Sequence, residues 1–558
     1  MARPEQPNGT SVAAMLPNPA QTYDSGMRKI IITLTVIVSA MLELIDTTIV
    51  NVAITQISGN LGASIEDASW VVTSYAIANV IVIPLSGFLG NLLGRRNYYI
   101  GSILLFTLAS LFCGMATDIW ALVFFRFIQG LGGGALLPTS QAILYETYRP
   151  EERGKATGIF SMGLVLGPTI GPLLGGYLVD YLSWEWCFFV NIPVGLLAAW
   201  SSYTFLKEPK VRHAVSKIDW TGIGLLAVGI GSLQFILERG QSKDWFDTPY
   251  ITFFTFIAVT ALIGFVWWEL HTKEPAVDLR VLARSKNLAI AAVLTFIVGY
   301  GLYGSLFVFP VFVQRLLGFT AVLTGTVLFP SAMVTGIISL PLGIALQRGV
   351  SPKLLMSIGM SAFIFFCFEL SQQTMQSGDS NFFWVLLVRG VALGFIFIPV
   401  TMLAVSGLHG RDIGQATGLN NMVRQLGGSF GIALTNTYIT NRMATHRVEL
   451  LSHLSPYDPA AAERINMLQQ AATQRGGLSP AGAETIALKA LEGTLTAQSY
   501  HLAYMDAFML VAFLFTICLP LLLLIRIQKN EPADLSAAQS SVSSDIAPSG
   551  TASDRRKS

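Results

Sequence analysis

The chain has 558 residues, 52% of them apolar and only 12% Lys, Arg, Asp or Glu, about half the charged share of an ordinary globular protein. This composition excludes a soluble enzyme, a nucleic-acid binder and a disordered scaffold, because near-uncharged runs of the roughly 20 residues a helix needs to cross a bilayer recur throughout. The formal charge of +2 points to no polyanionic partner, so the distribution of charges carries more than their sum.

In chain order, hydropathy windows predict membrane spans at 30–53, 67–90, 98–115, 120–141, 156–178, 186–205, 218–237, 250–268, 288–310, 321–345, 354–370, 382–406, 414–438 and 503–525. The prediction is an all-α polytopic membrane protein with 14 transmembrane helices. Alternate inter-span segments divide the basic residues unevenly: 24 of the 35 fall in the set containing both termini, and 8 in the other. That asymmetry is the positive-inside pattern, and it predicts cytoplasmic termini in a multi-pass inner membrane protein. Cys113, Cys187, Cys367 and Cys518 all fall in predicted spans and read as packing residues. The long external segment 439–500 reads as a partly ordered loop with short helical stretches such as 460–473, or as a cap or docking surface. The Ala/Ser-rich tail reads as disordered and as able to touch anionic membrane lipid weakly.

Self-similarity at a fixed offset divides the chain. Gly154-Lys155-Ala156-Thr157-Gly158 recurs as Gly414-Gln415-Ala416-Thr417-Gly418, at 260 residues, and Arg126 has a counterpart in Arg389, at 263. Pro84-Leu85 through Gly94-Arg95-Arg96 is echoed by Pro341-Leu342 through Gln347-Arg348-Gly349. These offsets put spans 1–6 in register with 9–14 and leave two between, a 6+2+6 plan. The expected organisation is an N-terminal segment 1–27, a six-helix bundle 28–205, a linker 206–286 with two additional spans, a second six-helix bundle 287–526 that includes 439–500, and a tail 527–558. Parallel repeats of this kind are built into secondary transporters, with the substrate path between the bundles.

Charged residues inside spans are the candidate functional groups, because a charge at that depth is costly unless it faces protein, water or a counter-ion. Glu43 and Asp46 are three residues apart in the first span and share a helix face. Proton coupling is one reading of the pair; a static hydrogen bond from Asp46 to Thr47 or Asn51, or an interfacial position, is the other. Arg126, followed by Gln129, needs an acidic partner, helix carbonyls or a wet cavity, and serves either coupling or a structural bond. Arg389 and Arg424 invite the same reasoning, with Asn420, Asn421 and Gln425 making a polar face around Arg424. Gly163, Gly167, Gly171 and Gly175 recur every four residues, beside Gly176, and make a groove for close helix approach; Pro168 and Pro172 each remove an internal hydrogen bond there. The sequence holds no GxxxxGK[ST] nucleotide loop and no HExxH motif. It therefore gives no support to an ATP motor or a metal centre, and no cofactor is expected beyond a proton gradient as energy source.

These residues resemble the fourteen-span drug:proton antiporter (DHA2) family of the major facilitator superfamily, in its EmrB/QacA branch. Leu44-Ile45-Asp46-Thr47-Thr48-Ile49-Val50-Asn51-Val52-Ala53 is similar to that family's acidic first-helix signature. Arg126-Phe127-Ile128-Gln129-Gly130 resembles its fourth-helix motif, and Gly163 to Gly176 its fifth-helix antiporter motif. Trp186 to Gly195, including Asn191, and Glu238 to Phe246 match further. The resemblance covers roughly 28–527 and implies proton-driven efflux of amphipathic or hydrophobic drugs and toxic compounds by alternating access. It further implies a periplasmic adaptor and an outer-membrane channel as partners in a two-membrane host. Export of a dedicated metabolite, siderophore or fatty acid is the alternative, and sodium coupling would use much the same architecture. One departure stands out: Asn91 and Leu92 replace the acid and base of the family's loop after the second span, which removes an interbundle lock based on that acid.

Overall fold

The computed structural model describes residues 26–207, 218–284, 286–406, 411–452, 459–476 and 479–524, with 408 and 454 standing singly between segments. The tail, most of the N-terminal segment and 208–217 of the linker lie outside the described residues. The regular elements are helical. The first part of the chain forms α1 (Gly26–Asn60), α2 (Ile65–Leu93), α3 (Arg95–Gly114), α4 (Ile119–Gly133), α5 (Leu136–Thr147), α6 (Arg153–Tyr181), α7 (Trp186–Phe189) and α8 (Asn191–Phe205). Next come α9 (Trp220–Arg239), α10 (Pro249–His271) and the short α11 (Arg280–Arg284). The last part forms α12 (Lys286–Leu316), α13 (Ala321–Gln347), α14 (Pro352–Ser371), α15 (Asp379–Ala404), α16 (Arg411–Ser452), α17 (Pro459–Gly476) and α18 (Pro480–Cys518).

Among the described residues, thirteen helical stretches are long and apolar enough to cross a membrane, with α4–α5 and α7–α8 each counted as one. The expected span at 414–438 is helical, within α16, but is not among the thirteen. Its inward face carries Gln415, Asn420, Asn421 and Arg424, all buried, which lowers the helix's hydropathy without exposing those groups to lipid. Where it is described, the segment 439–500, expected to be external, is more ordered than a loop. α16 continues to Ser452, and α18 starts at Pro480 with α17 packed on it. A helix of 42 residues is about 63 Å long, roughly twice the hydrocarbon thickness, so α16 extends well past its membrane portion. Arg447 bonded to Glu492, and Asp506 bonded to both Arg442 and His446, tie α16 to α18 along this stretch.

Separate hydrophobic cores form on either side of the chain's middle. One, centred on Phe312, Phe363, Phe382 and Phe508, is drawn from α11 to α18 and the 3₁₀ turn after it. Two others belong mainly to α1–α8. α9 and α10 pack on each other and, through Leu226, Ile230 and Phe265, lie against Val80 and Leu85 of α2 and Leu419 of α16. All four cysteines are free and buried.

The repeat is visible in backbone geometry. Gly94, at φ 84°, ends α2, and Gly349, at φ 88°, follows α13 at the matching place; glycine adopts this conformation without the steric cost other residues meet. Across the two halves, a Cβ on Gly154 of α6 would lie 2.5 Å from the Gly343 carbonyl of α13, and one on Gly87 of α2 would lie 2.8 Å from Gly414 of α16. Gly154 and Gly414 are repeat counterparts, as are Gly87 and Gly343. The same close crossing is thus made twice, at one end of the molecule.

Candidate functional site

Two breaks in apolar stretches build the site. After Gly132-Gly133-Gly134 the chain leaves α4 and starts α5 two residues later. Each of these glycines lies where a side chain would strike α2 or α3. Starting a helix in mid-span leaves first-turn amides without intrahelical partners, and Glu43 uses one: Leu137 N donates to its Oε2 at 3.1 Å, while Asn79 Nδ2 donates to Oε1 at 3.1 Å. A carboxylate at a helix N-terminus is favoured by the helix dipole. The second break, at Val190 between α7 and α8, sets Asn191 at the start of α8, facing α1.

Asp46 and Arg126 form a salt bridge at 2.5 Å, with side-chain exposures of 0% and 1%. Gln129 Nε2 donates to Asp46 Oδ1 at 3.0 Å and Asn191 Nδ2 to the same oxygen at 2.9 Å. Arg126 donates from Nη1 to Gln129 Oε1 and from Nε to the Val71 carbonyl, and its guanidinium lies 4.1 Å from the centre of the Tyr75 ring. Asn191 also donates to Ser110 Oγ, which in turn donates to the Phe188 carbonyl at the end of α7. Every group facing the Asp46 oxygens is a donor, which matches an ionised carboxylate, an acceptor only.

The glycine groove holds the helix carrying these acids. Side chains added at Gly163, Gly167, Gly171 and Gly175 would meet Ile37, Leu44, Thr48 and Ile49 respectively, so all four face α1. Gly176 has open space around its Cα and takes no part in this contact. α6 remains helical through Pro168 and Pro172.

A cavity of about 60 Å³ lies between the halves. Leu44, Leu164, Val165, Pro168 and Thr169 line it from one side, and Tyr303, Ser331, Thr335, Arg389, Phe397 and Arg424 from the other. It has room for a few waters. Asp46 and Glu43 do not line it. Asn421 Nδ2 donates to Gln141 Oε1 across the halves at 2.7 Å, and Arg424 donates to Asn421 Oδ1 at 2.5 Å.

The structure therefore brings together Asp46, Arg126 and Gln129, sets Glu43 beside them on α1, and gathers Arg389, Asn421 and Arg424 at the interface between halves. It does not bring in Asn51, which is exposed and bonds only within its own helix, at 3.4 Å to the Thr47 carbonyl. Gln425, half-buried, accepts from Ser429 through its backbone and is absent from the cavity wall. Nothing in the local sequence marks Asn79 or Ser110 as part of the site. Asn191 was noted only within a motif, although a lone Asn in an apolar stretch is itself a signal that a buried partner exists.

Among the described residues, an all-helical arrangement with a buried ionic network in one half and a cavity between two repeated halves has the architecture of a secondary transporter. The chain belongs to the major facilitator superfamily, whose family model matches residues 36–432. It is 35% identical over 447 residues to the multidrug export protein EmrB of Escherichia coli K12, across 80% of this chain and 86% of that one. It is 32% identical over 496 residues to the fatty acid resistance protein FarB of Neisseria gonorrhoeae, across 89% and 96%. Among solved structures it shares its fold with the human organic anion transporter MFSD10, at TM-score 0.56 and 13% identity, across 87% of this chain and 99% of that one.

Proposed function

We propose that the chain is a proton-driven exporter of amphipathic or hydrophobic compounds, a fourteen-span member of the drug:proton antiporter branch arranged as 6+2+6 with both termini cytoplasmic. Asp46 is the proton carrier in this reading. The observation that carries it is the donor-only surrounding of a fully buried carboxylate. Protonating Asp46 places an O–H against Arg126, Gln129 or Asn191, none of which offers an acceptor at that position, so one of them must turn away. Proton binding is in this way coupled to movement of α1 against α4 and α8. Glu43, on the same face and nearer the cavity-lining Leu44 and Leu137, modulates the exchange.

Under the charge asymmetry, the glycine crossings Gly154–Gly343 and Gly87–Gly414 lie at the cytoplasmic end, so this state is closed to the cytoplasm. Similarity to EmrB supports multidrug substrates. Similarity to FarB favours a second reading, a dedicated fatty acid exporter. The extension of α16 with α17 and α18 past the membrane is the surface on which a periplasmic adaptor, leading to an outer-membrane channel, would dock. The test is transport in ATP-free proteoliposomes under an imposed pH gradient, with sodium varied independently. Flux that follows pH and ignores sodium supports the reading; flux that needs sodium or ATP contradicts it.

A further inference from the structure

Arg389 is buried, 5% exposed, and lines the cavity between the halves. It occupies the place in α15 that Arg126 occupies in α4, and the surroundings repeat as well. Arg126 bonds to Asp46 and to the Val71 carbonyl; Arg389 bonds to Ser305 Oγ and Ser331 Oγ, each at 3.3 Å. Ser305 stands 259 residues after Asp46 and Ser331 stands 260 after Val71, within the offsets of the repeat. The second half thus has the arginine, with a serine where the first half has the acid. The Nη2 of Arg389 has no hydrogen-bond partner among the described residues.

A second cation lines the same cavity. Arg424 is buried, donates to Asn421 and lies 5.3 Å from the Phe397 ring centre. Among the described residues no carboxylate forms a contact ion pair with either arginine; Glu43 acts on Arg424 only through space, Arg424 hydrogen-bonds to the Tyr303 hydroxyl, and the rest of the wall is chiefly apolar. A buried guanidinium stays charged under ordinary conditions and is costly without a counter-ion.

We propose that Arg389 and Arg424 form the headgroup site for an amphipathic anion, a compound with a carboxylate or similar acidic group on an apolar body, and that such anions are the preferred substrates. The inference rests on the export reading for its consequence, while the site itself is a binding property. The cavity as it stands holds the headgroup's volume but not a drug-sized solute, for which pockets run to roughly 300–1,000 Å³; the apolar body is accommodated when the halves part. Ser305 and Ser331 hold Nε and Nη1 of Arg389, and the unpartnered Nη2, enclosed in this state, becomes available to the ligand when the halves part.

The test is equilibrium binding to purified protein in nanodiscs without a pH gradient, using three probes of matched shape: 2-naphthoate, 2-naphthylmethylammonium and 2-naphthylmethanol. Naphthoate should bind at least about tenfold more tightly than the other two, as expected of charge-assisted hydrogen bonds. Arg389→Gln should remove that preference while the alcohol's affinity holds, and Arg389→Lys should restore part of it. Arg424→Gln should weaken naphthoate alone. Equal binding of the three probes by the unmodified protein overturns the proposal, whether or not any variant folds. An undiminished naphthoate preference in folded Arg389→Gln and Arg424→Gln proteins overturns it too. Neither result touches proton-driven flux, which is measured separately.

Discussion

Arg126 and Arg389 occupy matching places in the two halves, yet only Arg126 has a carboxylate, Asp46, within hydrogen-bonding distance. At this position the two repeats differ: the first has the acid Asp46, and the second has Ser305 at the corresponding place. In our reading one arginine holds the proton site and the other is left for a ligand.

The Asp46–Arg126 pair should behave as a coupled unit in stability. Removing one member of a buried ion pair leaves an uncompensated charge and costs about 3–5 kcal/mol. Asp46→Asn with Arg126 retained, and Arg126→Gln with Asp46 retained, should each lower the thermal midpoint in nanodiscs. The double variant should be less destabilised than the sum of the two, by at least about 1 kcal/mol in a double-mutant cycle. Additive losses would show that the pair does not interact.

The groove on α6 should tolerate almost no enlargement. Gly171→Leu puts a side chain against Thr48 and the Ile45 carbonyl, on both sides of Asp46 along α1. Overpacking of this kind costs about 1–3 kcal/mol, so the variant should lose thermal stability and flux together. Gly176→Ala, in open space, should change neither measurably.

At the crossing of the halves, Gly154→Leu should act on conformation more than on folding. Its side chain meets the Gly343 carbonyl and the Gln347 side chain, so α6 and α13 cannot close there. Disulfide cross-linking between engineered cysteines at Lys155 and Gln347 should fall severalfold, and flux should drop while ligand binding persists. Unchanged cross-linking and flux would remove the crossing from the transport cycle.

Orientation is checked with thiol labelling in sealed right-side-out vesicles, where the four buried native cysteines give little background. A membrane-impermeant reagent should label Thr473→Cys on α17 and spare Asn97→Cys and Lys273→Cys until the vesicles are opened. Equal labelling of all three would contradict the orientation read from charge.

Much of this molecule is legible in its sequence because membrane burial writes strong signals. Apolar runs mark helices, and glycine spacing marks the α1–α6 contact. The repeat offsets of Gly154 and Arg126 anticipate the matched geometry. What stayed hidden depends on tertiary partners. Asn191 lies 145 residues from Asp46, and no local pattern says that they meet. Asn51, on the same helix, looked equally eligible and points elsewhere, because a polar residue's spacing does not tell which neighbour lies opposite it. The segment 439–500 reads as a partly ordered loop because it is rich in Ala, Gln, Leu and Ser and interrupted by Pro456, Pro459 and Pro480. Pro459 and Pro480 in fact begin α17 and α18, where a missing amide hydrogen costs nothing. α16 falls short of span hydropathy for the same reason that it is informative: its polar groups are buried, Asn421 against Gln141 of the other half and Asn420 against Thr295 of its own.

The central claim is that Asp46 carries the exchanged proton, and its most direct test is proton release measured on adding a transported compound to purified protein, alongside pH-driven flux in liposomes. Unmodified protein, equilibrated at a pH low enough to load Asp46 with its proton, should release protons on binding and transport up the solute gradient. Folded Asp46→Asn protein should bind the compound, release no protons and lose at least about 90% of coupled flux, roughly the tenfold that 1.4 kcal/mol represents, and Glu43→Gln should shift the pH optimum with a smaller loss. Full proton release and undiminished coupled flux in a folded Asp46→Asn protein would contradict the assignment and move the proton site to Glu43 or to another acid.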